Sequence, residues 1–192
     1  MYFDGVEDYL DISNDASLTI GTGDFTSECW VFVESDATLM SYWRSCFSLQ
    51  GDGNADAGSI SIYISNGVAA ALGALVVIAN GDSFRLRFFV NGSLASSASD
   101  TTNYNATGPT RVGVSSTGQS NYWLGYVADA RFVKGTAVYT AAFTPPTAPL
   151  SSSGSSLHIK GTDASIIDKS QVSNLKLVGN TTASTTQIKY GN

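Results

Sequence analysis

Charge is what this 192-residue sequence has least of: Asp, Glu, Lys and Arg together make up 14% of it, against about 25% in an average globular protein. Ten basic residues face sixteen acidic ones, for a net charge of -6, and no Lys/Arg cluster occurs. Nucleic acid binding needs a basic footprint and is excluded; an anionic membrane surface is disfavoured for the same reason. No run reaches the roughly 18 to 20 apolar residues of a membrane span, because the longest apolar stretch, residues 68–79, is interrupted by Gly73. Membrane insertion is therefore not expected. The N-terminus lacks a basic stretch followed by an apolar core, so a secretory leader is not expected either, and release by lysis or a place within a longer chain follows. One histidine, His158, leaves little room for imidazole chemistry, and two cysteines plus one histidine in unrelated segments lack zinc spacing.

What is present is apolar and small-polar. Hydrophobic residues reach 43% and aromatics 11%, enough for one sizeable core in a chain of single-domain length. Ser, Thr, Asn and Gly must then cover most of the surface. Cys29 and Cys46 lie in strand-like runs equidistant from a hairpin centre between Ala37 and Thr38. Pairing there leaves both a disulfide and two buried thiols open.

Along the chain the pattern is one of short strands. MYFDGVEDYLDIS reads as two β segments about a turn. FTSECWVFVE puts Phe25, Ser27, Cys29, Val31 and Val33 on one face and Thr26, Glu28, Trp30, Phe32 and Glu34 on the other. A second strand-like run covers 38–49, and SISIYIS alternates with Ile60, Ile62 and Ile64 on one face. Asn66-Gly67, Asn80-Gly81 and Asn91-Gly92 are hairpin dipeptides. Residues 68–77 could pass for a helix, but Gly73 and the flanking turns favour strands. Residues 93–110 read as a polar loop, 111–115 and 123–133 as strands, and the proline-containing 139–150 as an extended edge segment. After the serine-rich 151–156 come three more short β-like runs, at 157–160, 175–178 and 187–190. The expected architecture is an all-β antiparallel sandwich, a jelly roll, with residues 1–150 as its main body. Residues 151–192 would be a linker plus strands that complete it or pass to a neighbouring copy.

The pieces YFDGVEDYLDI, GTGDFTSECWVFVE, FFVNGSL, TRVGVSS, LGYVADARFVKGTAVYTAAFTPPTAPL, LHIKGTDASIIDKS, LVGN and KYG resemble the laminin G-like branch of the concanavalin A-like lectin/glucanase domains. The closest likeness is to versions in structural proteins of marine and cyanobacterial bacteriophages. ALVVIAN departs from the family at a strand that usually opens with a Trp-x-His-like pair. The LHIK to KYG block commonly precedes the YFDG segment in the family and here follows it. Joining Asn192 to Met1 yields KYGNMYFDGVEDYL, so residues 187–192 and the first strand are expected side by side, within one molecule or across two.

The resemblance implies a non-enzymatic structural or adhesive module of a phage virion, such as a tail fibre, head fibre or capsid decoration. Its partners would be other virion proteins, copies of itself or cell-surface glycans, and its location virion or extracellular; a stand-alone soluble lectin is the alternative. Retaining glucanases of this fold place their two carboxylates on one strand as Glu-x-Asp-x-x-Glu, a sequence absent here. Glu28, Glu34 and Asp129 read instead as solvated face residues, and His158, with no Gly-x-Ser-x-Gly nearby, as an exposed strand histidine. A sugar contact needs an aromatic platform beside hydrogen-bonding groups. Tyr104, in a loop between two asparagines, and Asn121, Tyr122 and Trp123, after a flexible Ser/Gly stretch, are the candidates; a core position for Trp123 under Tyr122 is the competing reading. No cofactor is required. Calcium is a possible ligand of Asp52, Asn54 and Asp56, which offer oxygens at alternate positions, although Tyr63 stands where a calcium loop has its final Glu.

Overall fold

A computed structural model of the chain describes residues 1–33, 44–50, 58–64, 74–81, 84–115, 122–161, 166–170 and 175–183. Its strands are Tyr2–Asp4 (β1), Tyr9–Ile12 (β2), Phe25–Val33 (β3), Arg44–Leu49 (β4), Ile60–Ile64 (β5), Ala74–Gly81 (β6) and Arg85–Val90 (β7). They continue with Ser93–Ser99 (β8), Thr110–Val112 (β9), Leu124–Lys134 (β10), Leu157–Gly161 (β11), Ile166–Asp168 (β12) and Leu175–Val178 (β13). No helix occurs among the described residues. The larger sheet runs β12-β11-β10-β3-β6-β7-β8, with β1 also on β10, and the smaller runs β13-β2-β9-β4-β5. All pairings are antiparallel. The result is the antiparallel β-sandwich expected from the strand pattern.

Period-two alternation builds the core between the sheets. Phe25, Cys29, Val31 and Val33 of β3 face Leu10 and Ile12 of β2, Phe47 and Leu49 of β4, and Ile60 and Ile62 of β5 in one cluster. Phe3, Phe25, Phe47, Phe132 and Trp123 are at most 1% exposed, and each such side chain contributes roughly 1.5–3 kcal/mol by burial. Cys29 and Cys46 meet inside this core as free thiols, with Sγ atoms 3.6 Å apart. They are not hairpin partners: β3 and β4 belong to different sheets, so the thiols approach across the sandwich and not along one sheet. Cys46 donates to the Ile62 carbonyl at 3.3 Å, while hydrogen bonding to Cys46 and burial push the Cys29 thiol well above its ordinary range.

The opposite face of the larger sheet is apolar as well. Trp30, Leu75, Val77, Ala79 and Phe89 form a second buried cluster against Tyr139 and Phe143. Residues 135–156 thus pass over this face as a strap instead of lying along a sheet edge. Their prolines are accommodated because the strap needs no ladder hydrogen bonds. Tyr139 stacks on Phe143 at 3.7 Å, and Phe143 meets Phe89 edge-on at 5.5 Å. Residues 93–99, read from sequence as loop, are an edge strand continuing from the Asn91-Gly92 turn onto β7. Every residue of β8 is exposed, so no inside-outside alternation marks it in the sequence.

After the serine run the chain returns to both sheets: β11 pairs with β10, β12 with β11, and β13 with β2. Tyr2 bridges Thr182, its N–H donating to the Thr182 carbonyl at 3.2 Å. Residues 187–192 lie outside the described residues.

The strap is anchored where Phe143 N–H donates to the Gly92 carbonyl at 2.9 Å. Gly92 has φ +77°, and a Cβ there would sit 1.9 Å from the Phe143 carbonyl oxygen. Gly92→Ala should therefore lower stability by about 1–3 kcal/mol, read as a drop in the urea midpoint; an unchanged midpoint would show that the strap does not depend on this contact.

Candidate functional site

Among the described residues, partly open aromatic groups occur on both sheets: Tyr2, Phe32 and Tyr126 pack together on the larger sheet, and the outward side of the smaller sheet carries another set, together with charged groups. In β2, Leu10 and Ile12 point into the core, which turns Tyr9 and Asp11 outward; in β9, Val112 points inward and Arg111 outward. Asp11 and Arg111 are direct cross-strand partners, and Arg111 Nε donates to Asp11 Oδ1 at 2.8 Å. Their side chains are 13% and 29% exposed for Arg111 and Asp11, respectively. The guanidinium lies over the Tyr9 ring, 5.2 Å from its centroid, a cation–π contact that fixes both planes. Tyr122 stands beside Tyr9 with ring centroids 6.3 Å apart and planes at 31°. Its backbone is held by Arg44 Nη1, which donates to the Tyr122 carbonyl.

Further along this sheet, Ser48 faces Arg111 on β9 and Ser61 on β5, and the two serine hydroxyls share a hydrogen bond. Tyr63 and Ser115 hydroxyls are 2.9 Å apart. On the other flank, exposed Lys176 of β13 is the cross-strand partner of Asp11. Burial, with Glu7 and Tyr9 nearby, raises the Tyr122 phenol above its usual value against the opposing charge of Arg111. The phenol therefore remains a neutral donor and acceptor around pH 7. Two rings, an arginine and a carboxylate gathered on one surface supply both apolar ring faces and directed hydrogen bonds, while the Ser48 and Ser115 hydroxyls are buried.

Of the candidate sugar contacts that fall among the described residues, Tyr122 alone sits in this cluster. Tyr104 is 7% exposed; its backbone exchanges hydrogen bonds with Gly21 at 2.8 Å in each direction, its hydroxyl donates to Asp100 at 2.8 Å, and its ring packs edge-on against Phe25 at 5.5 Å. Burial and Asp100 raise its phenol pKa strongly, so it is a core residue and not a surface platform. Trp123, 1% exposed, is likewise core, its backbone N–H donating to the Gly113 carbonyl at 2.7 Å. Asn121 lies outside the described residues, as do Glu34 and the calcium candidates Asp52, Asn54 and Asp56. Among the described residues no group of three or more His, Cys, Asp or Glu is placed to hold a metal.

Glu28, Asp129 and His158 are the larger surprise, because all three are buried and none is a solvated face residue. Glu28, Arg131 and His158 form one cross-strand row over β3, β10 and β11, beneath the strap. Arg131 donates to Glu28 Oε1 from both Nε, at 2.7 Å, and Nη2, and from Nη1 to the Ser151 carbonyl at 2.9 Å. Tyr139 donates to the other Glu28 oxygen at 3.2 Å. Burial raises the Glu28 pKa, opposed by Arg131.

Asp129 is the extra residue of a β-bulge, in left-handed conformation at φ 49°, which aspartate tolerates better than most residues. The bulge aims its carboxylate at His158 Nε2, 3.1 Å away, at the Leu150 N–H, 3.2 Å away, and at Lys160 Nζ, 3.5 Å away. Burial pushes this carboxyl up, but these partners outweigh it and hold the group below its ordinary value. Ser152 Oγ completes a series with His158 Nδ1 at 2.9 Å. A hydroxyl, an imidazole and a carboxylate in line are also the components of a hydrolytic triad. Here, however, the imidazole is fully buried and its polar neighbours tie down residues 150–152, so the series secures the strap. Nothing local in the sequence marks a network whose partners, Glu28 and Arg131, are 103 residues apart.

Two antiparallel sheets packed around a shared core, with a strap over part of one outer face, define a concanavalin A-like β-sandwich. The chain belongs to the concanavalin A-like lectin/glucanases superfamily, whose laminin G-type family model matches residues 4–142. The matched span ends before β11, so β11–β13 complete both sheets from outside it. Among solved structures, the chain is similar to a proposed carbohydrate-binding protein from Bacteroides ovatus, with a TM-score of 0.53 at 10% identity. That likeness covers 93% of this chain and 60% of the other, so this chain spans less than two thirds of its solved neighbour. No curated protein sequence matches the chain.

Arg131→Met alone would strand the Glu28 carboxylate and should cost about 3–5 kcal/mol, whereas Arg131→Met with Glu28→Leu should recover most of that loss. Denaturant unfolding of the two variants checks this; equal losses would mean that the pair does not act as a unit.

Proposed function

We propose that this chain is a non-enzymatic glycan-binding module that acts outside the cell. The observation that carries this reading is the Tyr9–Tyr122 pair beside the Arg111–Asp11 ion pair on the partly open side of the smaller sheet. Sugar rings have apolar C–H faces and polar rims, which aromatic rings and charge-assisted donors and acceptors match respectively. Superfamily membership and the described role of the Bacteroides ovatus neighbour point the same way. The sequence lacks the paired-carboxylate motif of glucanases, and Glu28 and Asp129 are engaged in holding the strap. Tyr122→Ala should reduce retention on a glycan array about tenfold, the order of a lost stacking contact plus a hydrogen bond. Undiminished retention would remove this surface as the site.

A second reading, an adhesive or structural module of a phage virion, rests on the sequence resemblance and on β8. This edge strand is seven residues long, uncharged and wholly exposed, and an unguarded edge is a template for pairing between chains. Under this reading the purified chain should form a defined oligomer in light scattering coupled to size-exclusion chromatography. A monomer at every concentration favours the soluble lectin.

A further inference from the structure

We infer that the ligand of the Tyr9–Tyr122 surface is a neutral glycan, bound through a pair of neighbouring hydroxyls by Asp11 and Arg111 together. This rests on the glycan-binding reading above and specifies its chemistry. Arg111 uses Nε for Asp11 Oδ1, and its terminal nitrogens make no hydrogen bond to any described residue. Asp11 Oδ2 is likewise uncommitted among the described residues. The pair therefore presents free donors and a free acceptor side by side.

A guanidinium only donates and a carboxylate only accepts, whereas a hydroxyl does both. Two adjacent sugar hydroxyls can satisfy the pair at once, one donating to Asp11 and the other accepting from Arg111. A uronate or sulfate group offers acceptors alone: it would suit Arg111 and be repelled by Asp11. The charges around the site lead to the same conclusion. Asp11 offsets Arg111 at 2.8 Å, Glu7 lies near Tyr122, Arg44 is turned to the Tyr122 carbonyl, and the whole chain carries -6. Among the described residues Lys176 is the remaining cation on this face, and it is exposed, where salt screens it effectively. The orientation of Arg111 is also not free to change for an anion, because its plane is held over Tyr9.

Calorimetric titration tests the inference with neutral oligosaccharides (manno-, xylo-, cello- and galacto-series) beside oligogalacturonate and heparin fragments, each at 50 and 500 mM NaCl. The expected result is binding of at least one neutral series with a Kd that changes less than about twofold between the two salts. Asp11→Asn and Arg111→Met should each weaken it about tenfold or more, and Lys176→Ala should leave it unchanged; thermal melts confirm that the variants fold. Tighter binding of oligogalacturonate or heparin than of any neutral sugar, lost at 500 mM NaCl, overturns the neutral class while leaving the site in place. Binding by no saccharide, or binding insensitive to Tyr122→Ala, overturns the site reading and this inference with it.

Discussion

Both faces of β3 are buried, and the organisation of the molecule follows from that constraint. One face, with Phe25, Cys29, Val31 and Val33, closes the core against the smaller sheet. The other carries Trp30 beside Leu75, Val77 and Phe89, together with Glu28, and cannot be left to water without exposing a large apolar patch. The strap of residues 135–156 resolves this by laying Tyr139 and Phe143 over the apolar part. It is held by polar contacts to Glu28, Arg131, Asp129 and His158. A buried carboxylate is tolerable only when paired and hydrogen-bonded, so covering the face and satisfying its charges are one requirement.

The strap covers only the part of the larger sheet's outer face around Trp30 and Phe89. On the smaller sheet, outward side chains alternate with core residues on β2 and β9. Alternation alone would put Tyr9, Asp11 and Arg111 outward, but register brings them together: Asp11 opposite Arg111, with Tyr9 on the diagonal. Diagonal neighbours across antiparallel strands are within reach of long and aromatic side chains, which is how Arg111 comes to lie over Tyr9. Glu28, Arg131, Asp129 and His158 thus hold the chain over itself, whereas Asp11 and Arg111 pair on the other sheet.

The family was legible because it is written in many short motifs along the chain, and the matched span of residues 4–142 covers most of them. Individual sites were harder to read. Tyr104 and Trp123 have the composition of a sugar platform and the positions of core residues, since an aromatic side chain in a polar loop looks the same whether its ring faces water or Phe25. His158 and Asp129 read as surface residues because strand alternation predicts a face, and it cannot predict that a distant segment covers that face. The cysteines illustrate the same limit: symmetry about a turn pointed to a hairpin, while the chain places Cys29 and Cys46 in opposite sheets.

Composition, hydropathy period and turn dipeptides determined by themselves that this is an all-β, weakly charged sandwich without a basic surface, because strand formation and core side selection are local properties of alternation and glycine-containing turns. The sheet to which each strand belongs, the passage of residues 135–156 over a face instead of along an edge, and the meeting of Asp11 with Arg111 across 100 residues were decided only in the tertiary structure. Those features depend on register and on pairing between distant strands, and a single sequence carries no local signal for either.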